Sequence, residues 1–403
     1  MVDTPRIVVA GTHSGVGKTT VASGLMAALS SKGYNVAPFK VGPDFIDPSY
    51  HSLAAGRPGR NLDAFLSGPG LIGPLFANGA SGADIAVIEG VMGLFDGKSG
   101  AGDLASTAHV AKLLNAPVVL VVDARAMSRS VAAMVHGYST FDLKLRVAGV
   151  VLNRVGSSSH EKMLRDALKP LDVPVLGALS RDTTIYTPDR HLGLVPVPER
   201  REEARRSLDA LGTVISRCLN LDHIMRLAST AGSLRSDPWC PESREGDRHE
   251  GVRIAVATGP SFTFVYRENL ELLEGAGAEV ITFDPTEDED LPSGTDALYI
   301  GGGFPETYAE ALSTNRRMRE SIRAFAASHR PIVAECGGLL YLVRELDGHP
   351  MCGVLDVTAS MTDRLTLGYR EARALVDSPL AESGAGVRGH EFHYSSVESR
   401  AGE

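Results

Sequence analysis

Residues 11–20 read GTHSGVGKTT, between an apolar run at 6–10 (RIVVA) and a helical pattern over 18–32 that stops at Gly33. A strand, a glycine-rich turn and a helix in that order constrain the fold more than any other feature of this chain. The decapeptide is read as the phosphate-cradling pattern G-x-x-x-x-G-K-[ST], whose backbone N–H groups need a helix N-terminus behind them. The amides of Gly15, Val16 and Gly17 then wrap an anionic phosphate, Lys18 reaches the outer phosphates and the Thr19 hydroxyl binds Mg2+. Thr12, Ser14 and Thr20 join them as nucleotide-contacting positions. A chance match in a glycine-rich loop is the bland alternative, and it does not account for the stripe of Val21, Leu25, Ala28 and Leu29 in the helix that follows.

Similar β-branched runs recur at 36–40, 84–88, 118–123, 147–153 and 173–179, with helical patterns between them. Nearly continuous apolar strands are buried on both faces, which requires a parallel sheet with helices outside. From 229 to 251 the period dissolves into Ser, Gly, Pro and charge, the best linker candidate. Alternation resumes at 252–257, 278–284, 297–303 and 331–336. A chain of 403 residues also exceeds one ordinary core, at about 150 residues per domain. The expected organisation is α/β throughout: a domain at 1–228, a linker at 229–251 and a second domain at 252–403.

A net charge of −9 with sparse aromatics argues against a nucleic-acid partner. Cys218, Cys240, Cys336 and Cys352 lie far apart without metal-type spacing, and no secretory signal or long apolar span occurs. A soluble protein of a reducing cytoplasm, with no membrane partner, is expected.

Acids gather where a nucleotide's metal needs them. Glu89 ends the strand at 84–88 and is the expected metal ligand, because ligands of open α/β sheets collect at the carboxyl ends of strands. FKVGPDFIDPSYH (39–51) brings Lys40, Asp44 and Asp47, held between two Pro-fixed turns, close to the phosphate loop, with a catalytic or Mg2+ role. Asp96 lies in GVMGLFDGKSG (90–100), an active-site loop or a flexible turn. Arg57 and Arg60 are either carboxylate clamps or ordinary surface arginines.

In the second half, Cys336 ends an apolar strand in PIVAECGGLLYL (331–342), and Gly337 and Gly338 open a helix. Such a bend exposes a nucleophilic sulfur, and helix-end N–H groups are expected to lower its pKa and stabilise an oxyanion. YIGGGFPE (299–306) ends another strand with amides that complete the oxyanion hole or form a plain turn.

The combination of GTHSGVGKTT, FKVGPDFIDP and EGVMGLFDG resembles the synthetase domain of cobyrinic and hydrogenobyrinic acid a,c-diamide synthases and, more distantly, dethiobiotin synthetase. GGGFPE and AECGGL resemble the class I glutamine amidotransferase domains fused to such enzymes. The resemblance implies a parallel-sheet P-loop NTPase domain followed by an amidotransferase-like α/β domain. ATP phosphorylates the a- and c-acetate carboxylates of the macrocycle in cobalamin biosynthesis, and ammonia displaces the phosphate. By that resemblance Lys18 and Lys40 stabilise the transferring phosphoryl group, and Thr19, Asp47 and Glu89 hold Mg2+. Asp44 and Asp96 face hydrogenobyrinic or cobyrinic acid. Cys336 attacks L-glutamine to release ammonia, with Gly302, Gly303 and the Gly337 amide flanking its carbonyl. Homodimer formation is carried as an expectation without a residue to support it.

A thiol nucleophile needs a base, normally His. His390 and His393 in GHEFHYS (389–395) are both candidates from the residues alone. Relatives carry this stretch as a structural strand and place their histidine motif further on, whereas this chain stops at Ala401-Gly-Glu403. The expectation is an amidotransferase domain truncated at its C-terminus, with His393 as a substitute base and free ammonia as an alternative nitrogen source. Two closer readings are the same chemistry on nickel-sirohydrochlorin and cobyric acid synthesis. The rival from another class is a partitioning-type ATPase switch, which has an extra lysine where this chain has Thr12-His13-Ser14 and does not need Cys336.

Overall fold

The structure, a computed structural model, describes residues 1–181, 201–241 and 251–398, with backbone alone at 189–190 and 193–194. Residues 242–250 of the expected linker and the terminal Ala401-Gly-Glu403 lie outside the described residues. The chain divides into two compact units, Met1–Cys240 and Pro241–Glu403.

The first unit runs β1 (Arg6–Gly11), α1 (Lys18–Ser31), β2 (Val36–Val41), α2 (Ile46–Ala55), β3 (Arg60–Leu62), α3 (Pro69–Gly79), β4 (Ile85–Glu89), α4 (Thr107–Leu113) and β5 (Val118–Asp123). It continues with α5 (Ser130–Thr140), β6 (Val147–Val155), α6 (Ser158–Leu168), β7 (Val175–Ser180), the short pair β8 (Asp189–Arg190) and β9 (Gly193–Leu194), α7 (Arg201–Cys218) and α8 (Leu221–Ala228). Seven strands form one sheet in the order β3-β2-β4-β1-β5-β6-β7, every pairing parallel. Its central strands are buried at every position, β1, β2, β4 and β5 alike, as continuous apolar runs between two helical layers must be. Each fully buried Val or Ile there contributes about 1.5–3 kcal/mol. The expected strands and first helix therefore stand, and β3 adds an edge strand within the RPGRNLD stretch.

Parallel register sets the site. Lys40 of β2 lies beside Glu89 of β4, and Glu89 beside Val9 of β1, so the charged ends of neighbouring strands emerge level with the phosphate loop. On the other side Gly11 pairs with Val121, and Asp123 of β5 with Asn153 of β6.

The described start of the expected linker is not free chain. Val2 and Leu234 exchange backbone hydrogen bonds of 2.9 and 3.0 Å, and the Trp239 amide donates to Pro74 O at 2.9 Å. Arg6, fully buried, donates to Leu114 O at 2.6 Å and also to Gly232 O. Its polar composition hid these anchors, which lie in backbone carbonyls and one aromatic ring rather than in any period.

The second unit holds β10 (Arg253–Ala257), α9 (Arg267–Gly275), β11 (Glu279–Phe283), β12 (Ala297–Ile300), α10 (Ala309–Thr314), α11 (Arg316–Ala327), β13 (Ile332–Ala334) and α12 (Gly337–Leu342). It ends with β14 (Val343–Leu346), β15 (His349–Pro350), β16 (Leu355–Arg373) and β17 (Gly386–Glu398). A parallel sheet β11-β10-β12-β13 carries the expected strands, and a further sheet β15-β14-β16-β17 follows. The latter pairs the 19-residue β16 with β17 as an antiparallel ribbon, largely exposed, into which GHEFHYS falls.

Candidate functional site

Counted residue by residue, five residues separate Gly11 from Gly17, one more than the strict phosphate-loop spacing. The donor-bearing end, from Gly15 through Thr19, is intact. Gly15 and Gly17 have φ of 78° and 96°, a left-handed backbone that suits glycine and turns the chain into α1. The Asn153 side-chain amide donates to Val16 O at 2.7 Å, and a Cβ on Gly17 would come within 2.3 Å of that same amide. Tyr138 OH donates to Thr12 O at 2.5 Å on the other flank. Both ends of the loop are thus pinned by side chains from outside it. Ser14 and Thr20 are exposed, and the Lys18 ammonium donates to His13 O at 3.2 Å.

Four of the residues singled out from the sequence meet in one cluster. Lys40 Nζ lies 2.5 Å from Asp47 Oδ2 and 2.9 Å from Glu89 Oε1. The Thr19 hydroxyl donates to Glu89 Oε1 at 2.6 Å and reaches Asp47 Oδ2 at 3.4 Å. A buried carboxylate, Glu89, and a half-buried one, Asp47, share the Lys40 ammonium, so their titrations separate. Burial and the charge of Asp44 raise Asp47 well above the usual carboxylate value, against the pull of Lys40. Burial opposes the charge on Glu89 too, but there Lys40 and the hydrogen bond from His51 outweigh it and hold the carboxyl well below its ordinary range. On Lys40, burial is overcome by Asp47, Glu89 and Asp44, which keep it firmly protonated. Lys18 moves the opposite way, to about 8, because burial and the like charge of Lys40 prevail over Glu89, Asp47 and Asp96.

Among the described residues no group of three or more His, Cys, Asp or Glu side chains forms a metal cage. Two carboxylates and one hydroxyl are hard oxygen donors, the partial set that suits a magnesium ion retaining phosphate and water ligands.

Asp44 spends Oδ1 on the amides of Ile46 and Asp47, at 2.7 and 3.2 Å, closing the first turn of α2. Asp96 accepts from the Gly93 amide at 3.0 Å and lies near enough to Lys18 and Tyr138 to raise both. Arg57 is not at the site. Its guanidinium donates to Asn35 Oδ1 (3.1 Å), Gly79 O (3.0 Å) and Ser81 O (3.0 Å), in segments that precede β2 and β4 at the amino ends of the strands. Arg60, on β3, lies against Gly79.

In the second unit Cys336 has φ 51° and ψ −115°, a strained backbone for a residue with a Cβ, at the bend between β13 and α12. Close packing enforces the bend: a Cβ on Gly338 would lie 2.1 Å from Ile300 O, and one on Gly303 2.0 Å from Ser261 O. The amides of Gly337 and Gly303 both point at the sulfur. Gly302 also lies against Cys336, but its N–H is spent on Phe264 O at 3.2 Å, so it is not an available oxyanion donor as expected. The thiol is likewise not lowered. Surrounding protein pushes it up, and the two amides only partly offset this. His393 sits on β17, its Nδ1 3.0 Å from Ser395 O, and among the described residues no hydrogen bond or ion pair joins it to Cys336. The substitute-base expectation therefore has no contact behind it.

Residues 7–195 match the family described as the CobQ/CobB/MinD/ParA nucleotide binding domain, and residues 253–403 the CobB/CobQ-like glutamine amidotransferase domain. The hydrogenobyrinate a,c-diamide synthase of Streptomyces coelicolor is 53% identical, over 99% of this chain and 88% of the relative. That of Thermobifida fusca is 50% identical over 98% and 85%, and the cobyrinate a,c-diamide synthase of a Synechococcus species 44% identical over 97% and 86%. The chain belongs to the a,c-diamide synthase family. It carries the family's nucleotide-binding and glutamine amidotransferase domains in that order, as the sequence motifs implied.

Sequence reading missed three contributors. His51, fully buried, sits 2.7 Å from Glu89 Oε2. Asn153 and the Asp123–Arg154 ion pair (2.6 Å) occupy the carboxyl ends of β6 and β5. Tyr299 donates to Glu335, next to the nucleophile, at 2.7 Å and accepts from Asn269 at 3.1 Å. Polar residues closing the apolar runs VVLVVD and VAGVVLN are the available signal for the second group.

Proposed function

We propose that this chain amidates the a- and c-acetate carboxylates of a corrinoid acid, hydrogenobyrinic acid before cobyrinic acid, with ATP as the energy source. Relatives named for the metal-free acid are 50–53% identical and those named for cobyrinate 44–45%, which supports that order. The Thr19–Lys40–Asp47–Glu89 cluster beside the phosphate loop carries the reading. A carboxylate resists attack by ammonia because its leaving group is an oxide. Phosphorylation turns that oxygen into phosphate, which nitrogen displaces.

Lys18 and Lys40 neutralise the charge on the transferring phosphoryl group, and Asp96 and Asp44 flank the acceptor. Thr19, Asp47 and Glu89 hold Mg2+, which screens the phosphate oxygens when bound. In the second unit Cys336 attacks the glutamine amide carbon, ammonia leaves, and water releases glutamate from the thioester. The Gly303 and Gly337 amides stabilise the oxyanion, while free ammonia serves the synthetase chemistry directly.

The net charge of −9 supports a reading without nucleic acid. No described helix is long and apolar enough to cross a membrane. Cytoplasmic placement and a homodimer are part of the proposal. Incubation with Mg-ATP and ammonia or glutamine, with hydrogenobyrinic acid, cobyrinic acid and nickel-sirohydrochlorin in turn, tests it by mass spectrometry. Two successive acid-to-amide mass changes on a corrinoid support the reading; amidation of nickel-sirohydrochlorin alone overturns it.

A further inference from the structure

Asp47 and His51 stand one helical turn apart on α2, an i,i+4 pair that faces one side of the helix. That side meets Glu89, whose two oxygens have separate duties. Oε1 takes the Thr19 hydroxyl and the Lys40 ammonium, and Oε2 takes His51 Nε2 at 2.7 Å, with both side chains wholly buried. The other ring nitrogen, Nδ1, is buried and has no hydrogen-bond partner among the described residues. An imidazole kept in such a place for packing alone leaves a polar atom unsatisfied that Leu or Phe would not bring. Among the described residues its one hydrogen bond goes to the carboxylate proposed to hold the metal.

We propose that His51 is the positioning residue for Glu89. This inference rests on the reading of Thr19, Asp47 and Glu89 as the metal-holding set. The unpartnered Nδ1 fixes the tautomer, because a proton there would bury an N–H without an acceptor. Nε2 therefore carries the hydrogen and donates it to Oε2. The terminal torsion of a glutamate is broad and roughly two-fold, so nothing in the side chain itself keeps its oxygens in their assigned places. Held by His51, Oε1 stays directed toward Thr19. Released, the carboxylate rotates until both oxygens face Lys40, and this internal ion pair competes with an incoming divalent cation. Outer-shell partners of metal ligands act in this way elsewhere, and their loss weakens metal binding about 10–100-fold.

The test uses the full chain, Mn2+ as the probe and the β,γ-imido analogue of ATP, with free Mn2+ counted by electron paramagnetic resonance. His51→Leu is expected to weaken Mn2+ binding about 10–100-fold while the folded variant's metal-free nucleotide affinity stays near wild type. His51→Gln, whose amide nitrogen reaches the place of Nε2, is expected to recover most of the affinity, and His51→Asn, which stops short, is not. The Gln and Asn pair keeps the test decisive if the leucine variant does not fold. Wild-type Mn2+ affinity in folded His51→Leu overturns the inference, and so does equal loss in the Gln and Asn variants, which would mark a packing role. Failure of the wild type to bind Mn2+ with nucleotide would instead overturn the metal-site reading beneath it.

Discussion

The phosphate-loop cluster and the Cys336 bend both lie at carboxyl ends of parallel strands, yet they are assembled in different ways. In the first, register delivers the partners: Lys40 and Glu89 are direct neighbours in the sheet, and α2 supplies Asp47 and His51 from one face. Each charged group has an opposite or hydrogen-bonding counterpart. At the second, a nucleophile and two backbone donors are set by a tight bend, no hydrogen bond or ion pair joins a described histidine to the sulfur, and the surrounding protein raises the exposed thiol. A site built from adjacent strand ends is completed by the sheet's own geometry. One set by a bend takes its donors from the backbone of its own turn.

If the two centres are separate in function, damage to each will separate by nitrogen source. Cys336→Ala is expected to lower glutamine-supported amidation at least about 10³-fold and to spare the ammonia-supported reaction, measured side by side. Equal loss in both would erase the distinction. Lys40→Ala is expected to lower both reactions together, by about 10²–10³-fold in kcat, as for loss of one preorganised charge at a developing anion. A variant impaired only with glutamine would break the assignment of Lys40 to the phosphoryl step.

Smaller effects sharpen the picture of the first centre. Asn153→Ala removes the anchor on Val16 O, and a lost buried hydrogen bond of about 1–1.5 kcal/mol corresponds to roughly a tenfold rise in KM for ATP with kcat little changed. Steady-state kinetics at saturating corrinoid reads this directly. The smallest effect concerns protons. Lys18, at about 8 in the free protein, is largely neutral above that pH and regains its proton beside phosphate. ATP binding should then take up a proton at pH values above about 8 and none well below, seen by calorimetry in buffers of different ionisation heat. The stability sign agrees: a lysine lowered by burial penalises the fold while protonated, and this penalty eases as pH rises through about 8 toward the ordinary lysine value. No proton uptake on the alkaline side would contradict the charge assigned to Lys18.

Much of this was legible in the residues because it is periodic or glycine-punctuated. The strands of both parallel sheets apart from the edge strand β3, the helix after the phosphate loop, and the residues Lys40 and Glu89 follow from apolar runs ending in charge, and Asp47 from its Pro-fixed turns. What escaped depends on relations between distant positions. His51 reads as one more helix residue until β4 is placed against α2, and Asn153 ends its strand without announcing that it reaches Val16 O. Gly302 looks as good a donor as Gly303 in a glycine run; only the bridge to Phe264 tells them apart. The segment at 229–240 was composition-poor in periodicity and still packed, because single anchors such as Arg6 and Trp239 leave no pattern.

The central claim is that ATP phosphorylates an acetate carboxylate oxygen and that nitrogen then displaces that oxygen, as phosphate, from the same carbon. The most direct test is to label the corrinoid's acetate carboxylates with heavy oxygen and to analyse the inorganic phosphate released during ammonia-supported turnover. The account predicts one labelled oxygen in the phosphate for each amide formed, and no phosphate release above background without the corrinoid. Unlabelled phosphate, released at the same rate whether or not the corrinoid is present, would contradict it.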